Sequence, residues 1–242
     1  SYKGIGANLL HLSYCHQIAE RFGPVTIITL CSKLDKILET DPKIKEVIYL
    51  DNYHKKFLDI FNLSAFFKNL KLDNIFIFYP SVRYFLACKI SGIKHIYQYP
   101  LFKKKNLHLV KTAKKFTEKI LKIENCPTET KFNVDEKKLK NYKIENKKII
   151  ILGIGSSGPT TKWGYKNYLS LIKKFENLKS KFHYFLLCGP DESDAADEII
   201  KGLNIPNCKS LANENISEVI YYISSSNLFI GNDSFGHHIA SQ

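Results

Sequence analysis

A chain of 242 residues, 44% of them hydrophobic, can bury one large core or two modest ones. Its 36 Lys+Arg against 23 Asp+Glu give a formal charge of +13, which turns the protein away from basic partners and towards nucleotides, anionic lipid or nucleic acid, although much of the excess is surface lysine. No apolar run approaches the roughly 18 residues of a membrane-spanning helix, no signal-peptide pattern is visible, and the six cysteines, none in a C-x-x-C pair, read as buried free thiols in a reducing compartment rather than as zinc ligands or disulfides.

Gly4-Ile5-Gly6-Ala7-Asn8 precedes a helix predicted from about Leu9 to Phe22, with Leu12, Cys15, Ile18, Ala19 and Phe22 on one face and Asn8 as its N-cap. Gly23-Pro24 ends it, and a strand is predicted over Val25–Leu30. Asp35–Glu39 reads as helix, Asp41-Pro42 as a break, Glu46–Leu50 as strand, Phe57–Leu70 as helix, Ile75–Tyr79 as strand, Ser81–Ile90 as helix and His95–Tyr99 as strand. Leu107–Leu121 is amphipathic. The polar, lysine-rich stretch 124–147 reads as a linker between a first domain, 1–123, and a second, 148–242.

The second half alternates regularly. Ile149–Leu152 has the composition of a strand buried on both faces. Tyr165–Leu178 reads as helix, His183–Cys188 as strand, Glu192–Leu203 as helix, the neighbourhood of Cys208 as a short strand, Ile216–Ser224 as helix and Asn227–Ile230 as strand. Such alternation predicts a parallel sheet covered by helices. Two α/β halves predict a cleft, with ligands at the carboxyl ends of the strands.

Three turns carry the candidate chemistry. The first, Gly153-Ile-Gly-Ser156-Ser157-Gly158-Pro-Thr-Thr161-Lys162-Trp163, joins a strand to a helix. Glycines permit positive φ and close backbone approach, and free N–H groups in such a loop can cradle phosphate oxygens. The spacing Gly153-x-Gly155-x-x-Gly158 also fits a dinucleotide fingerprint, but Pro159-Thr160-Thr161 delay the helix and no acid follows at the required distance, so the loop reads as a phosphate site rather than an NAD site. A ligand-free glycine turn is the plain alternative. The second turn is Cys188-Gly189-Pro190-Asp191-Glu192, where Glu192 either accepts a ribose hydroxyl or merely stabilises a first helical turn. The third is Gly231-Asn232-Asp233-Ser234, followed by His238. Asp233 and Ser234 can be N-caps and His238 a surface residue. With the first turn at the same sheet edge, they can instead grip a pyrophosphate.

In their order and spacing these pieces resemble glycosyltransferase family 9, the heptosyltransferase-like enzymes of the GT-B fold. The likeness includes the opening glycine turn, Asp41-Pro42…Glu46-Val47-Ile48-Tyr49-Leu50, and Ser234…His238-Ile239-Ala240, and spans nearly the whole chain. The resemblance implies two Rossmann-like parallel-sheet domains facing across a cleft, in a chain trimmed at both ends. It implies a nucleotide-diphospho-sugar donor, ADP-heptose or similar, in the second domain, and a lipid-linked acceptor, the lipopolysaccharide inner core, met by the first. Transfer would be inverting, with no cofactor and no metal. By position, Ser156, Ser157, Thr161, Lys162, Asp233, Ser234 and His238 would hold the diphosphate and sugar, and Glu192 the nucleoside. The implied setting is a cytoplasmic monomer in peripheral contact with an anionic inner membrane, without a nucleic-acid partner.

Two positions depart from the family pattern. The Asp usually assigned as base is Ala7 here, which leaves His11, and behind it His16, as nearest titratable groups; either also reads as a surface histidine on a helix. Phe235 stands where the family usually has glycine, and should reshape the sugar pocket. Ala7 opens a second reading, a non-catalytic nucleotide-sugar-binding homologue. A basic nucleic-acid binder lacks a recognisable module, and a sugar-nucleotide epimerase lacks a convincing set of carboxylates.

Overall fold

The computed structural model describes residues 3–50, 59–100, 108–131, 133–156, 158–178 and 181–242. Ser157 and the predicted starts of the helices at Phe57 and Leu107 lie outside them. The chain divides into two units, Ser1–Asp35 with Pro42–Thr130, and Lys36–Asp41 with Lys131–Gln242.

In the first unit, two helices, α1 (Ile5–Leu9) and α2 (Leu12–Phe22), replace the single helix predicted from Leu9. The chain tightens between them, where the His11 N–H bonds the Asn8 carbonyl at 3.0 Å, three residues back. Asn8 is therefore not an N-cap. It sits inside α1, its Nδ2 donating to the Gly4 carbonyl at 2.7 Å, while Thr29 Oγ1 donates to its Oδ1 at 2.7 Å. That bond ties α1 to the end of β1 (Val25–Thr29). Helix α3 (Leu34–Ile37) leads to β2 (Ile44–Tyr49), which pairs in parallel with β1. Helix α4 (Asp59–Asn69) precedes β3 (Asn74–Ile77), and α5 (Val82–Ile90), capped by the Ser81 hydroxyl, leads to the parallel partner β4 (His95–Gln98). A helix in each crossover is what parallel neighbours require. Among the described residues the four strands form two separate pairs. Leu50, Ile60, Leu63, Phe67, Ile77 and Ala87 make one core; Tyr14, Tyr99 and Ala113, the last on α6 (Leu109–Leu121), make another with Phe78 and Phe116.

The second unit begins with structure that the linker reading missed. Asp135 Oδ1 accepts the Lys137 and Lys138 N–H groups and caps α7 (Glu136–Leu139), and a single 3₁₀ turn follows. Tyr142 then stacks on Tyr221 at 5.3 Å between ring centres. Four parallel strands form one sheet in the order β7 (Cys208–Ser210), β6 (Phe182–Leu187), β5 (Lys148–Gly153), β8 (Leu228–Gly231). Side chains alternate across it. Ile150, Leu152, Tyr184 and Leu186 meet Tyr168 and Ile172 of α8 (Tyr165–Glu176), and Ala196 and Ile199 of α9 (Ser193–Leu203). On the other face Phe185 packs on Tyr222 of α10 (Ile216–Ser225), and Leu187 and Phe229 lie under Gly236 of α11 (Phe235–Ala240). Strand β5 is buried on both faces from Ile149 onward. Truncating one of its isoleucines to Ala would cost roughly 2–5 kcal/mol.

All six cysteines are free; Cys31, Cys88, Cys126 and Cys188 are buried, Cys15 and Cys208 half-buried. Among the described residues no helix is long and apolar enough to cross a membrane.

Candidate functional site

The sheet order places β6, β5 and β8 side by side, so the turns leaving their carboxyl ends meet within one unit. Where β5 and β8 end, the backbones touch: a Cβ on Gly231 would stand 2.8 Å from the Gly153 Cα, so only glycine permits this approach. Of the turn glycines, Gly153, Gly155 and Gly158 do not take positive φ, unlike Gly164 at 94°. Their contribution is closeness rather than handedness. The helix after the loop starts at Tyr165, beyond a 3₁₀ turn at Pro159–Thr161, and not on the last glycine.

Asn232 holds the assembly together. It is 7% exposed, and its side chain is satisfied at both ends. Its Oδ1 accepts the Trp163 N–H and the Tyr168 hydroxyl, each at 3.0 Å, and its Nδ2 donates to the Ile154 carbonyl at 2.8 Å. The Tyr168 hydroxyl also reaches the Gly153 carbonyl at 3.0 Å, and burial pushes its phenol up to about 12, with the Asn232 backbone opposing only in part. One amide thus locks the turn after β8 to the loop after β5 and to the first turns of α8. Neither Asn232 nor Tyr168 stands out in the sequence, since an Asn after a strand reads as a generic turn residue and a Tyr at that helical position as core; only the long-range pairing reveals them.

Glu192 holds the other side. It ends a 3₁₀ turn at Pro190–Glu192 and precedes α9. Its Oε1 accepts the Ser156 N–H at 3.0 Å and its Oε2 the Gly189 N–H at 3.3 Å. The Lys162 ammonium lies 2.7 Å from Oε1. A Cβ on Gly155 would run into this carboxylate and stand 3.0 Å from the Cys188 Cα. Burial pushes the Glu192 carboxyl up, but Lys162 and the two N–H groups outweigh it and hold the group below its ordinary value.

The predicted diphosphate residues fall around these two anchors. Ser156 Oγ shares a short hydrogen bond with Thr161 Oγ1 and reaches the Asp233 carbonyl at 3.4 Å. Ser234 opens α11 with no capping bond from its own side chain. His238 Nε2 lies 3.8 Å from Asp233 Oδ1; burial lowers its imidazole, and Asp233 opposes the shift only in part. Ser156, Thr161, Lys162, Glu192 and the Asp233 backbone are joined by direct contacts. Ser157 lies outside the described residues. Phe235 is half-buried beside Ser234. Trp163 stands 50% exposed next to Lys162, its ring edge-on to Tyr168 at 5.0 Å.

His11, the candidate base, is placed in the first unit, and it is not on a surface. The ring is 6% exposed, its Nδ1 donates to the Ala7 carbonyl at 2.7 Å, its Nε2 faces the Tyr99 hydroxyl at 3.5 Å, and Phe78 packs on it at 5.2 Å. Burial lowers its value to about 4, the Ala7 bond only partly resisting. The ring belongs to the aromatic core. His16 is buried too, with Nδ1 2.6 Å from Thr130 Oγ1. The reading of either histidine as a surface residue is corrected by their packing under Tyr14, Phe78 and the segment at 127–130, whose Pro127 and Glu129 carbonyls accept the neighbouring Ser13 hydroxyl. Among the described residues no group of three or more His, Cys, Asp or Glu could hold a metal ion.

Adjacent parallel strands whose turns gather backbone N–H groups, hydroxyls and a lysine make up the candidate site of this α/β unit. The model of glycosyltransferase family 9 (heptosyltransferase) matches residues 89–241, and the chain belongs to that family. Among solved structures it is similar to the ADP-heptose LPS heptosyltransferase II of E. coli, at 16% identity and a TM-score of 0.75, over 99% of this chain and 80% of that one. A glycosyl transferase family 9 protein of Veillonella parvula gives 15% and 0.74 over 99% and 75%, and the E. coli heptosyltransferase WaaC with ADP 13% and 0.71 over 98% and 82%. The likeness carries the GT-B fold. No curated protein sequence matches.

Proposed function

We propose that this protein transfers a heptose-like sugar from a nucleotide-diphospho-sugar to a lipopolysaccharide or related lipid-linked glycan, with inversion and without a metal or other cofactor. The observation that carries the reading is the joined cluster Ser156–Thr161–Lys162–Glu192–Asp233 at the tips of β5, β6 and β8. The similar E. coli proteins are named for ADP-heptose and for bound ADP. In this reading Ser156, Ser157, Thr161, Lys162, Ser234 and His238 hold the diphosphate, Asp233 steadies His238 and the sugar, and Glu192 meets the ribose. The leaving group is a nucleoside diphosphate, so fixed positive charge and N–H dipoles where negative charge grows lower the barrier. The chain's charge of +13 suits peripheral contact with an anionic membrane surface on the cytoplasmic side. The test is a calorimetric screen of ADP-, UDP-, GDP- and CMP-sugars, followed by turnover with a lipid-linked acceptor. Binding of one nucleotide class together with transfer is expected. No binding of any class overturns the reading.

Ala7 favours a second reading, a binding protein without transferase activity. Its side chain can take no proton, and the nearby His11 is committed to the Ala7 carbonyl and the aromatic core. Ala7→Asp separates the two. A rate gain of several orders of magnitude would mark a missing base, whereas an unchanged, substantial rate would place the base elsewhere.

A further inference from the structure

Glu192 occupies the phosphate loop in a specific way. Its carboxylate accepts the Ser156 N–H at 3.0 Å and the Gly189 N–H at 3.3 Å and pairs with the Lys162 ammonium at 2.7 Å. Two backbone N–H groups and a lysine are the partners a phosphate oxygen would take in such a loop. The carboxylate side chain is 18% exposed and further held by two N–H groups, whereas the lysine is 42% exposed, so the acid is the more anchored member of the pair. Gly155 leaves just the space the carboxylate fills, since any Cβ there would meet it.

We infer that Glu192 is a resident anion that makes the site selective for nucleoside diphosphates over inorganic phosphate and pyrophosphate. The inference rests on the donor reading above and adds a selectivity that the reading does not contain. A free inorganic anion must take Lys162 from Glu192 and then sit beside an uncompensated carboxylate, a repulsion that weakens its binding. A nucleoside diphosphate meets the same repulsion, but its ribose hydroxyls donate to the carboxylate that Lys162 has left, and so recover the lost bond. The charge that excludes the small ion is therefore the acceptor that the larger ligand needs.

The measurement is titration calorimetry of inorganic pyrophosphate and of ADP against the intact protein and Glu192→Gln, at one pH and ionic strength. The amide keeps the shape and one acceptor but removes the charge. Pyrophosphate is expected to bind Glu192→Gln about tenfold more tightly than the natural protein. ADP affinity should stay level or fall, so that the preference for ADP collapses. Equal weakening of both ligands would mean that Glu192 only braces the loop, and an unchanged pyrophosphate affinity would mean that its charge is not felt; either result overturns the inference. Glu192→Asp, which retains the charge one methylene further from Lys162, should fall between, and identical behaviour of Asp and Gln variants would also count against it. Failure of the natural protein to bind any nucleoside diphosphate would defeat the donor reading and the selectivity with it, whereas nucleotide binding without the pyrophosphate gain in Glu192→Gln would defeat the selectivity alone.

Discussion

The turns after β5, β6 and β8 and the bend between α1 and α2 both place polar groups at the end of a parallel strand pair, yet they treat those groups differently. In the second unit Asn232 and Glu192 spend their own atoms on backbone, which leaves the hydroxyl of Ser234, the exposed end of Lys162 and the Trp163 ring beside a fixed frame. In the first unit Asn8, His11 and His16 are themselves the frame: each is bonded to backbone or to a neighbouring side chain, and the two histidines are buried. The difference is that polar side chains in the second unit stand beside the frame, whereas the titratable residues of α1 and α2 are part of it; the proposed donor site accordingly uses the second unit.

The comparison breaks most readily at Asn232. Asn232→Leu strands the Trp163 N–H and the Ile154 carbonyl, leaves the Tyr168 hydroxyl with the Gly153 carbonyl alone, and should cost roughly 4 kcal/mol. Urea denaturation checks it, and a loss under about 1 kcal/mol would show that the amide is not the anchor of these turns.

Next in size is the acid response of the first unit. The folded value of His11, about 4, lies below the ordinary 6.5, so the native state prefers the neutral ring. The stability this gives is fully present above pH 6.5 and is lost as pH falls towards 4; for a value moved from 6.5 to about 4 it amounts to roughly 3 kcal/mol. A His11→Gln variant should lack that acid limb while its ADP affinity stays unchanged. A natural protein equally stable at about pH 7 and about pH 4.5 would contradict the burial argument.

Lys162→Ala should sharpen the contrast from the other side. Loss of a charge-assisted contact predicts roughly 10- to 100-fold weaker ADP binding. Unfolding stability should change by less than about 1 kcal/mol, because the ammonium is 42% exposed. The smallest effect belongs to a pair outside both regions: Asp73→Asn removes the exposed Lys94 ion pair at 2.9 Å and should change neither stability nor binding measurably.

The sequence shows the second unit's strands almost to the residue, because a run such as Ile149–Leu152 has no alternative to burial on two faces. It also shows three polar turns in the right order. It does not show that Asn232 sits 69 residues from Trp163 in sequence and 3.0 Å from its N–H in space, or that Glu192 pairs with Lys162. Those contacts depend on strand order, which local pattern does not encode. The same limit explains the split of α1 from α2: Asn8 looks like a helix cap until Thr29 is seen to claim its side chain. The segment 124–147 has too few apolar residues to announce α7 and the Tyr142 stack.

A crystal structure with ADP bound is the most direct test of the diphosphate grip. The account predicts phosphate oxygens within hydrogen-bond distance of the Lys162 ammonium, the Ser156 hydroxyl and Ser234, with Lys162 drawn away from Glu192. ADP seated elsewhere on the protein, with the Lys162–Glu192 pair still closed at 2.7 Å, would contradict it.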